Sequence, residues 1–578
     1  MTLKIQVSFE PPFYAGKDII GAQHVRIRVD DSLGGHEFRW PIYTSLHDSC
    51  ADEVLARDRL RRMKSTETCS LALDRLSQCL NNHSECLKPV QNRLLPTRVI
   101  DCTDPERPKL YLTGGSTLGS YVALSYVWGE DQPNKTRECN LGQYSQAIEA
   151  HLLPQTARDA IWVTNTFGER YLWIDAFCII QDSTEDKRRE IAKIPTIFAD
   201  ASFTIIAARS FKASQGFLHD CPPPSVLVYR LPFPCRDYRG SFGTMYVEQD
   251  KNSDYDASVE IDDPVHKRAW CLEERLLSPR AFAYTSSTLR YYCQMSRINV
   301  GNAVRQLDGQ TTRRLNIDWK PQVDERLYDP ITEPELDHNR RTRLWDNILH
   351  NYSGRTVTHF EDKLIALAGV ASRFSVRWEK GEYLAGLWMN SLPHDLLWRV
   401  DYNARLPRPR GFRAPSWSWA SVDSTVEATK SHPRETLLYE LKDCEVKLAS
   451  DLLPFGAVTS ACLRMRARLV QAIWRDDSLY VRPPRVDSSF SRATGSGKQQ
   501  EAEPKVYRAW LDTTEVCNRS VWALLICWRS KAAELAGLIV EPGEAPGEYM
   551  RVGCFQDYPR WMSTDSFQDL SLHDITFV

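Results

Sequence analysis

The sequence predicts an α/β fold: a parallel sheet flanked by helices, followed by a helical segment and a β-rich C-terminal region. Three observations carry this reading. Runs that are apolar along their whole length, YVALSYVWG at 121–129, YLWID at 171–175 and SFTIIAA at 202–208, alternate with helix-patterned stretches. Strands apolar on both faces and joined by helices belong to parallel sheets, because only a sheet covered on both sides buries both faces. A further helix pattern lies at 357–372, and the β-rich runs VWALLICW, AGLIVEP and YMRVGCF follow near the C-terminus.

Residues 1 to about 110 read as an irregular, partly helical lead-in, with helical content in ADEVLARDRLRRM and TCSLALDRLSQCL. The organised part, 111–300, opens with β-rich runs around a Gly-rich connection. Ala157, Ala160, Ile161 and Thr164 then recur at helical spacing, with Pro154 in the first turn and Gly168 as the stop. After the 171–175 strand, Asp182 and Glu185 form a capping-box pattern, and Ile191, Ile194, Ile197 and Ala201 share one face, with a kink expected at Pro195. Residues 209–263, rich in Pro, Gly and Asp, read as an insertion carrying short strands. A helical and Trp-rich region is expected over 301–430, where Thr358 and Glu361 repeat the capping-box pattern and APSWSWASVD at 414–423 alternates like a strand. The β-rich region, 431–578, contains a polar stretch at 485–504 that reads as a disordered linker.

In open parallel sheets, ligands bind outside the carboxyl ends of the strands. The tails YVWGED and DAFCIIQD therefore place Ser125, Trp128, Gly129 and Asp175 at a common edge.

Composition narrows the function classes. With 73 basic and 75 acidic residues the chain has no basic field for a phosphate backbone, so nucleic acid is not an expected partner. No apolar run is long enough for a membrane span and the N-terminus lacks a secretory h-region, which suggests a cytoplasmic address. The 16 cysteines sit mostly in apolar runs and read as buried thiols. Cys79, His83 and Cys86 in CLNNHSEC are set apart, with Cys69 and Cys102 not far off; a zinc site needs four ligands and the usual paired CxxC spacing is missing, so helix packing is expected, with a zinc-stabilised binding module as the alternative. GSGK at 495–498 is no P-loop, because Arg492 stands where the first glycine belongs and Gln499 where Ser or Thr would bind Mg2+. Without a nucleotide-driven switch, activation is expected from a protein partner or from self-association.

YVALSYVWG, YLWIDAFCIIQD (171–182) and RAWCLEERLLSPR (268–280) together resemble the three blocks of the fungal heterokaryon incompatibility (HET) domain, in order and approximate spacing. CLNNHSEC and LPTRVIDC before them, and YSGRTVTHFEDKLIALAGV, YLAGLWMNSLPHDLLW and APSWSWASVD after them, resemble that domain's usual surroundings. Ile180 and Glu273 depart from the family pattern, which has Asn and Gln there. The resemblance implies non-self recognition and programmed cell death exerted through protein interaction, and a fold similar to TIR domains. ALSYVWGED and LWID resemble the first two TIR strands, and RAWCLEERL resembles the TIR helix whose glutamate cleaves NAD in the enzymes of that class. The match assigns that role to Glu274, with Trp270 one turn before it, NAD as substrate, and Ser125, Trp128, Gly129 and Asp175 around it.

Plainer roles stand beside these. Glu274 is equally a helix carboxylate for Arg268 or Arg275. Asp175 serves as a strand-end or helix cap, and Trp128 and Trp270 as core aromatics. Cys178 and Cys271 have no histidine at a legible spacing and read as packing.

Overall fold

The computed structural model describes residues 4–10, 24–31, 34–84, 86–88, 93–223, 227–235, 240–248, 263–303, 338–376, 381–392, 394–401, 404–428, 435–475, 478–481, 505–515, 520–529, 534–557 and 570–578. The 485–504 linker lies outside them. The chain divides into two compact units, Met1–Asp329 and Pro330–Val578.

The first unit is built on an eight-stranded sheet. Val122–Ser125, buried throughout, lies between Tyr171–Trp173 and Thr204–Ile206 and runs parallel to both, with Val122 opposite Leu172 and Ser125 opposite Ile206. Arg280–Tyr284 continues the parallel set beside Thr204–Ile206. The wholly parallel sheet expected from the sequence is not found, because both flanks are antiparallel: Arg98–Asp101 and Lys109–Leu112 on one side, Leu289–Cys293 and Arg297–Asn299 on the other. The flanking pairs are hairpins, whose short turns require antiparallel strands, whereas each central crossover carries a helix.

The crossover helices follow the sequence pattern with local differences. Gln155–Thr166 forms behind Pro154 and ends before Gly168, whose φ is 78°. The 182–201 pattern gives two helices, Thr184–Ile191 and Ile194–Asp200, because Pro195 occupies the first turn of the second. The Asp182 capping box does not form: Ser183 is the N-cap, and Asp182 accepts from the Glu138 N–H at 3.0 Å. Asp186 is instead the buried anchor, paired with Arg98 and accepting from the Ile180 N–H at 2.9 Å.

The first 43 residues, read as irregular, form three antiparallel strands, Lys4–Glu10, His24–Asp31 and Gly34–Tyr43. Two strands from the insertion, Phe242–Glu248 and Val228–Pro234, complete this five-stranded sheet. Of the two stretches expected to be helical, TCSLALDRLSQCL lies in the helix Thr66–Asn82, capped by the Ser65 hydroxyl, whereas ADEVLARDRLRRM at 51–63 forms turns and extended chain and no helix.

In the second unit, His338–Ser353 precedes the short helices Asp362–Ile365 and Ala368–Ser375, and Glu361 is the N-cap of the first, so the Thr358 capping box is also not realised. APSWSWASVD is not a strand: Trp419–Ser421 is a 3-10 turn, with Trp417 and Trp419 fully buried and donating to the carbonyls of Phe577 and Gly386. The β-rich region is a nine-stranded sheet whose pairings run in a ring, Ser520–Arg529, Glu534–Pro542, Glu548–Asp557, Lys505–Leu511, Ser478–Val481, Val458–Arg475 and back to Ser520–Arg529. Closure leaves those strands without free edges. No helix among the described residues is long and apolar enough to cross a membrane.

Arg551 anchors this unit. It is 0% exposed, pairs with Asp512 at 2.9 and 3.0 Å, donates to the carbonyls of Leu396 and Trp398, and stacks 3.4 Å from the Trp398 ring centroid. Arg551→Met leaves Asp512 charged and alone in the core, and we expect a loss of about 3–5 kcal/mol in urea unfolding. Adding Asp512→Leu recovers most of that loss.

Candidate functional site

The carboxyl ends of the central strands place two carboxylates at one edge. Ser125 ends its strand with its side chain fully buried, and its hydroxyl donates to the Glu274 carboxylate. Glu274 reaches this point because Ala269–Leu277 seats Cys271, Leu272, Leu276 and Leu277 in the core, and Cys271 packs among Ile206, Ala208, Val265, Ala281 and Ala283. The far end of that turn is fixed by Ser278, whose hydroxyl donates to the Glu274 carbonyl at 2.7 Å.

Asp175 opens the short helix Asp175–Cys178 directly after the second parallel strand. Its carboxylate accepts from the Trp128 indole N–H at 2.9 Å and from the Ala176 N–H at 2.7 Å. The plain cap role and the contact with the opening motif are thus combined in one side chain. The loop after Trp128 is clamped as well: Ala213 N–H donates to the Trp128 carbonyl at 3.0 Å, and Glu130 accepts from the Ser214 N–H at 2.7 Å. Gly129 makes the clamp possible. Its φ is 64°, and a Cβ there would stand 1.9 Å from the Phe211 carbonyl oxygen.

The electrostatics follow from burial. Desolvation pushes the Glu274 carboxyl up to about 7; the Ser125 hydrogen bond opposes this, the Asp175 charge adds to it, and Arg268 offsets part. Asp175 is raised too, chiefly by desolvation, against the hydrogen bonds from Ala176 and Trp128. Tyr126, the residue after Ser125, is buried, and its phenol is pushed well up by burial, by the Asp175 charge and by its interaction with the Asp175 carboxylate.

Of the residues singled out by sequence, Ser125 meets Glu274, Trp128 meets Asp175, and Gly129 holds the adjoining loop. The Glu274 carboxylate turns to Ser125, with the Arg268 charge acting on it as well. Trp270 is partly exposed, one helical turn before Glu274. Cys178 and Cys271 are buried packing residues, as expected. Tyr126 went unforeseen because an aromatic inside an apolar run reads as core, although its place directly after Ser125 was the available signal.

What the fold and edge define is an α/β domain presenting two half-buried carboxylates beside an indole and a buried phenol. Residues 121–274 match the family described as Heterokaryon incompatibility protein (HET), a span that runs from the first parallel strand to Glu274 itself. The chain therefore carries a segment of heterokaryon-incompatibility type. No curated protein and no solved structure matches the chain.

Two outcomes follow for the folded state. Gly129→Ala combines a left-handed φ with a backbone clash, so it should lower stability by about 2 kcal/mol or more, read as a drop in Tm. Glu274 holds its proton up to about pH 7 when folded but only to the ordinary 4.5 when unfolded, so stability falls as pH climbs through that window and levels off above it. Glu274→Gln should therefore raise Tm by a few degrees at pH 8, with the gain vanishing near pH 4.

Proposed function

We propose that this protein is an effector of incompatibility-type non-self recognition in the cytoplasm, and that its HET segment hydrolyses the nicotinamide–ribose bond of NAD with Glu274 as the catalytic carboxylate. The observation that carries the reading is the meeting of Ser125 and Glu274 where the first parallel strand ends. The TIR likeness of the motifs is supported by a parallel core whose strands are joined by helices.

Nicotinamide is already a cationic leaving group. As the C1′–N bond breaks, its electron pair returns to the ring nitrogen and positive charge develops on the ribose as an oxocarbenium-like state. An ionised Glu274, held by the Ser125 hydroxyl in a water-poor edge, stabilises that charge more strongly than it would in water. Water then forms the C1′–O bond, giving ADP-ribose, nicotinamide and one proton. Trp128 and Trp270 offer indole faces for the bases. Activation comes from a protein partner or from self-association, which orders the edge around the substrate.

A second reading has the segment signal through protein contacts alone, and the hydrogen bond that ties Glu274 back to Ser125 favours it, since a carboxylate already partnered is at rest. Nicotinamide release from NAD separates the two. On our reading the full chain releases nicotinamide under the conditions in which it kills cells, Glu274→Gln lowers the rate at least about 100-fold, and killing is lost with it. Killing by Glu274→Gln at the wild-type level would leave the contact-only reading.

The pH profile supplies a second check. The rate should climb with an apparent pKa of about 7 as Glu274 ionises. Ser125→Ala, which removes the bond favouring the ionised form, should move that rising limb to higher pH.

A further inference from the structure

Away from the carboxylate edge, the same unit brings together four donors that the sequence separates. Cys79 lies in the last turn of the Thr66–Asn82 helix, His83 is its C-cap, and Cys86 follows in the next turn of chain. Cys293, 210 residues from His83, ends the strand Leu289–Cys293 and points its sulfur at the same place. One ligand atom from each of Cys79, His83, Cys86 and Cys293 lies within 4.8 Å of all the others.

The spacings are those of a tetrahedral ion. Zinc bonds of about 2.3 Å to sulfur and about 2.0 Å to nitrogen separate an S and an N donor by about 3.5 Å. The His83 Nδ1 stands 3.6 Å from the Cys86 sulfur and 3.4 Å from the Cys293 sulfur. These distances match those between two ligands of one tetrahedral metal. All three thiols are buried, with Cys79 at 0%, Cys86 at 3% and Cys293 at 7% exposure. All three are free cysteines.

A second observation points the same way. Arg280 is 1% exposed, and its guanidinium donates to the Cys79 sulfur at 3.3 Å and to the Leu87 carbonyl. Among the described residues it meets no carboxylate. A buried guanidinium requires a negative neighbour, and neutral thiols provide none. Zinc binding displaces one proton from each of three thiols while His83 contributes a neutral nitrogen lone pair, so the centre carries a single negative charge. That charge lies next to Arg280, which also sits directly opposite Cys293 in the strand pairing.

We propose that Cys79, His83, Cys86 and Cys293 form a structural zinc site that fastens the end of the Thr66–Asn82 helix to the antiparallel flank of the sheet. Four protein ligands leave no open position, so the ion serves folding and not chemistry. Its binding closes a loop spanning most of the first unit, which makes metal affinity a part of folding stability. The sequence pointed to Cys79, His83 and Cys86 but not to the fourth donor, because Cys293 lies in an unremarkable strand, LRYYC, far from the CLNNHSEC cluster.

The test uses the full chain, expressed with zinc and purified without chelator. Elemental analysis should find roughly one zinc per chain. Cys293→Ser should lose it, while His83→Cys, which keeps four donors, and Cys139→Ser, at an exposed cysteine elsewhere, should retain it. If Cys293→Ser fails to accumulate, the wild type decides alone: exchange of the metal for Co2+ should give the intense ligand-field and thiolate charge-transfer bands of a tetrahedral sulfur-rich site. A chain without zinc whose cobalt form lacks those bands, or a folded Cys293→Ser that keeps its zinc, overturns the proposal.

Discussion

Parallel pairing of Val122–Ser125 on both sides is the constraint from which the first unit follows. A parallel neighbour cannot be reached by a tight turn, so each connection must cross the sheet, and helices provide the crossings. The second strand in the chain lies on one side of the first and the third on the other, so the chain crosses one way and then back past the first strand. In open sheets such a reversal marks the place, at the strand's carboxyl end, where ligands bind. Ser125 is the last residue of that strand, which is why Glu274, arriving on the helix before the fourth parallel strand, finds it there.

The second unit obtains order differently. Its strands close in a ring, so hydrogen-bond satisfaction comes from closure, and its large aromatics pack as a separate layer: Trp345 lies 5.1 Å from Phe374 and 5.4 Å from Trp388 by ring centroids. Indoles need an acceptor when buried. Trp398, Trp417 and Trp419 find backbone carbonyls, and Arg551 takes two more carbonyls together with the Asp512 carboxylate. Polar groups are thus spent on fixing irregular backbone inside the unit, where a strand ladder would otherwise have satisfied it.

The central strands and the helices between them were legible because their patterns are local and strong: unbroken apolar runs, Pro154 before a helix, Gly168 after it. The capping boxes at Asp182 and Thr358 failed because a cap is decided by what else the side chain meets, and the Glu138 backbone offers Asp182 a partner that a sequence pattern cannot reveal. SWSW misled for a related reason. Alternation implies a strand only if one face is exposed, whereas here both tryptophans and the serines between them are buried in a turn. The strands at 4–10, 24–31 and 34–43 pair mainly with one another, and only Ile42 and Tyr43 pair with an insertion strand about two hundred residues on; the sequence reading passed over the local pairings. At the edge itself the motif resemblance located Glu274, Ser125, Trp128 and Asp175, while Tyr126 and the fourth sulfur at Cys293 needed three-dimensional proximity.

The edge holds two carboxylates that burial raises and whose charges oppose each other, with the Arg268 guanidinium offsetting part of both effects. Such a site resists ionisation alone, and the raised Glu274 and Asp175 carboxyls express that resistance. A ligand that brings a positive charge relieves it, and the relief grows as that charge moves nearer to Glu274. On the proposed NAD-cleaving reading, bond breaking moves positive charge from the pyridinium ring to the ribose as an oxocarbenium centre. If that centre forms nearer to Glu274, the edge binds the developing charge better than the ground state, which is the condition for accelerating cleavage and not merely binding a cation. On the same reading, the desolvation that raises the Glu274 carboxyl in the resting protein strengthens its interaction with that charge.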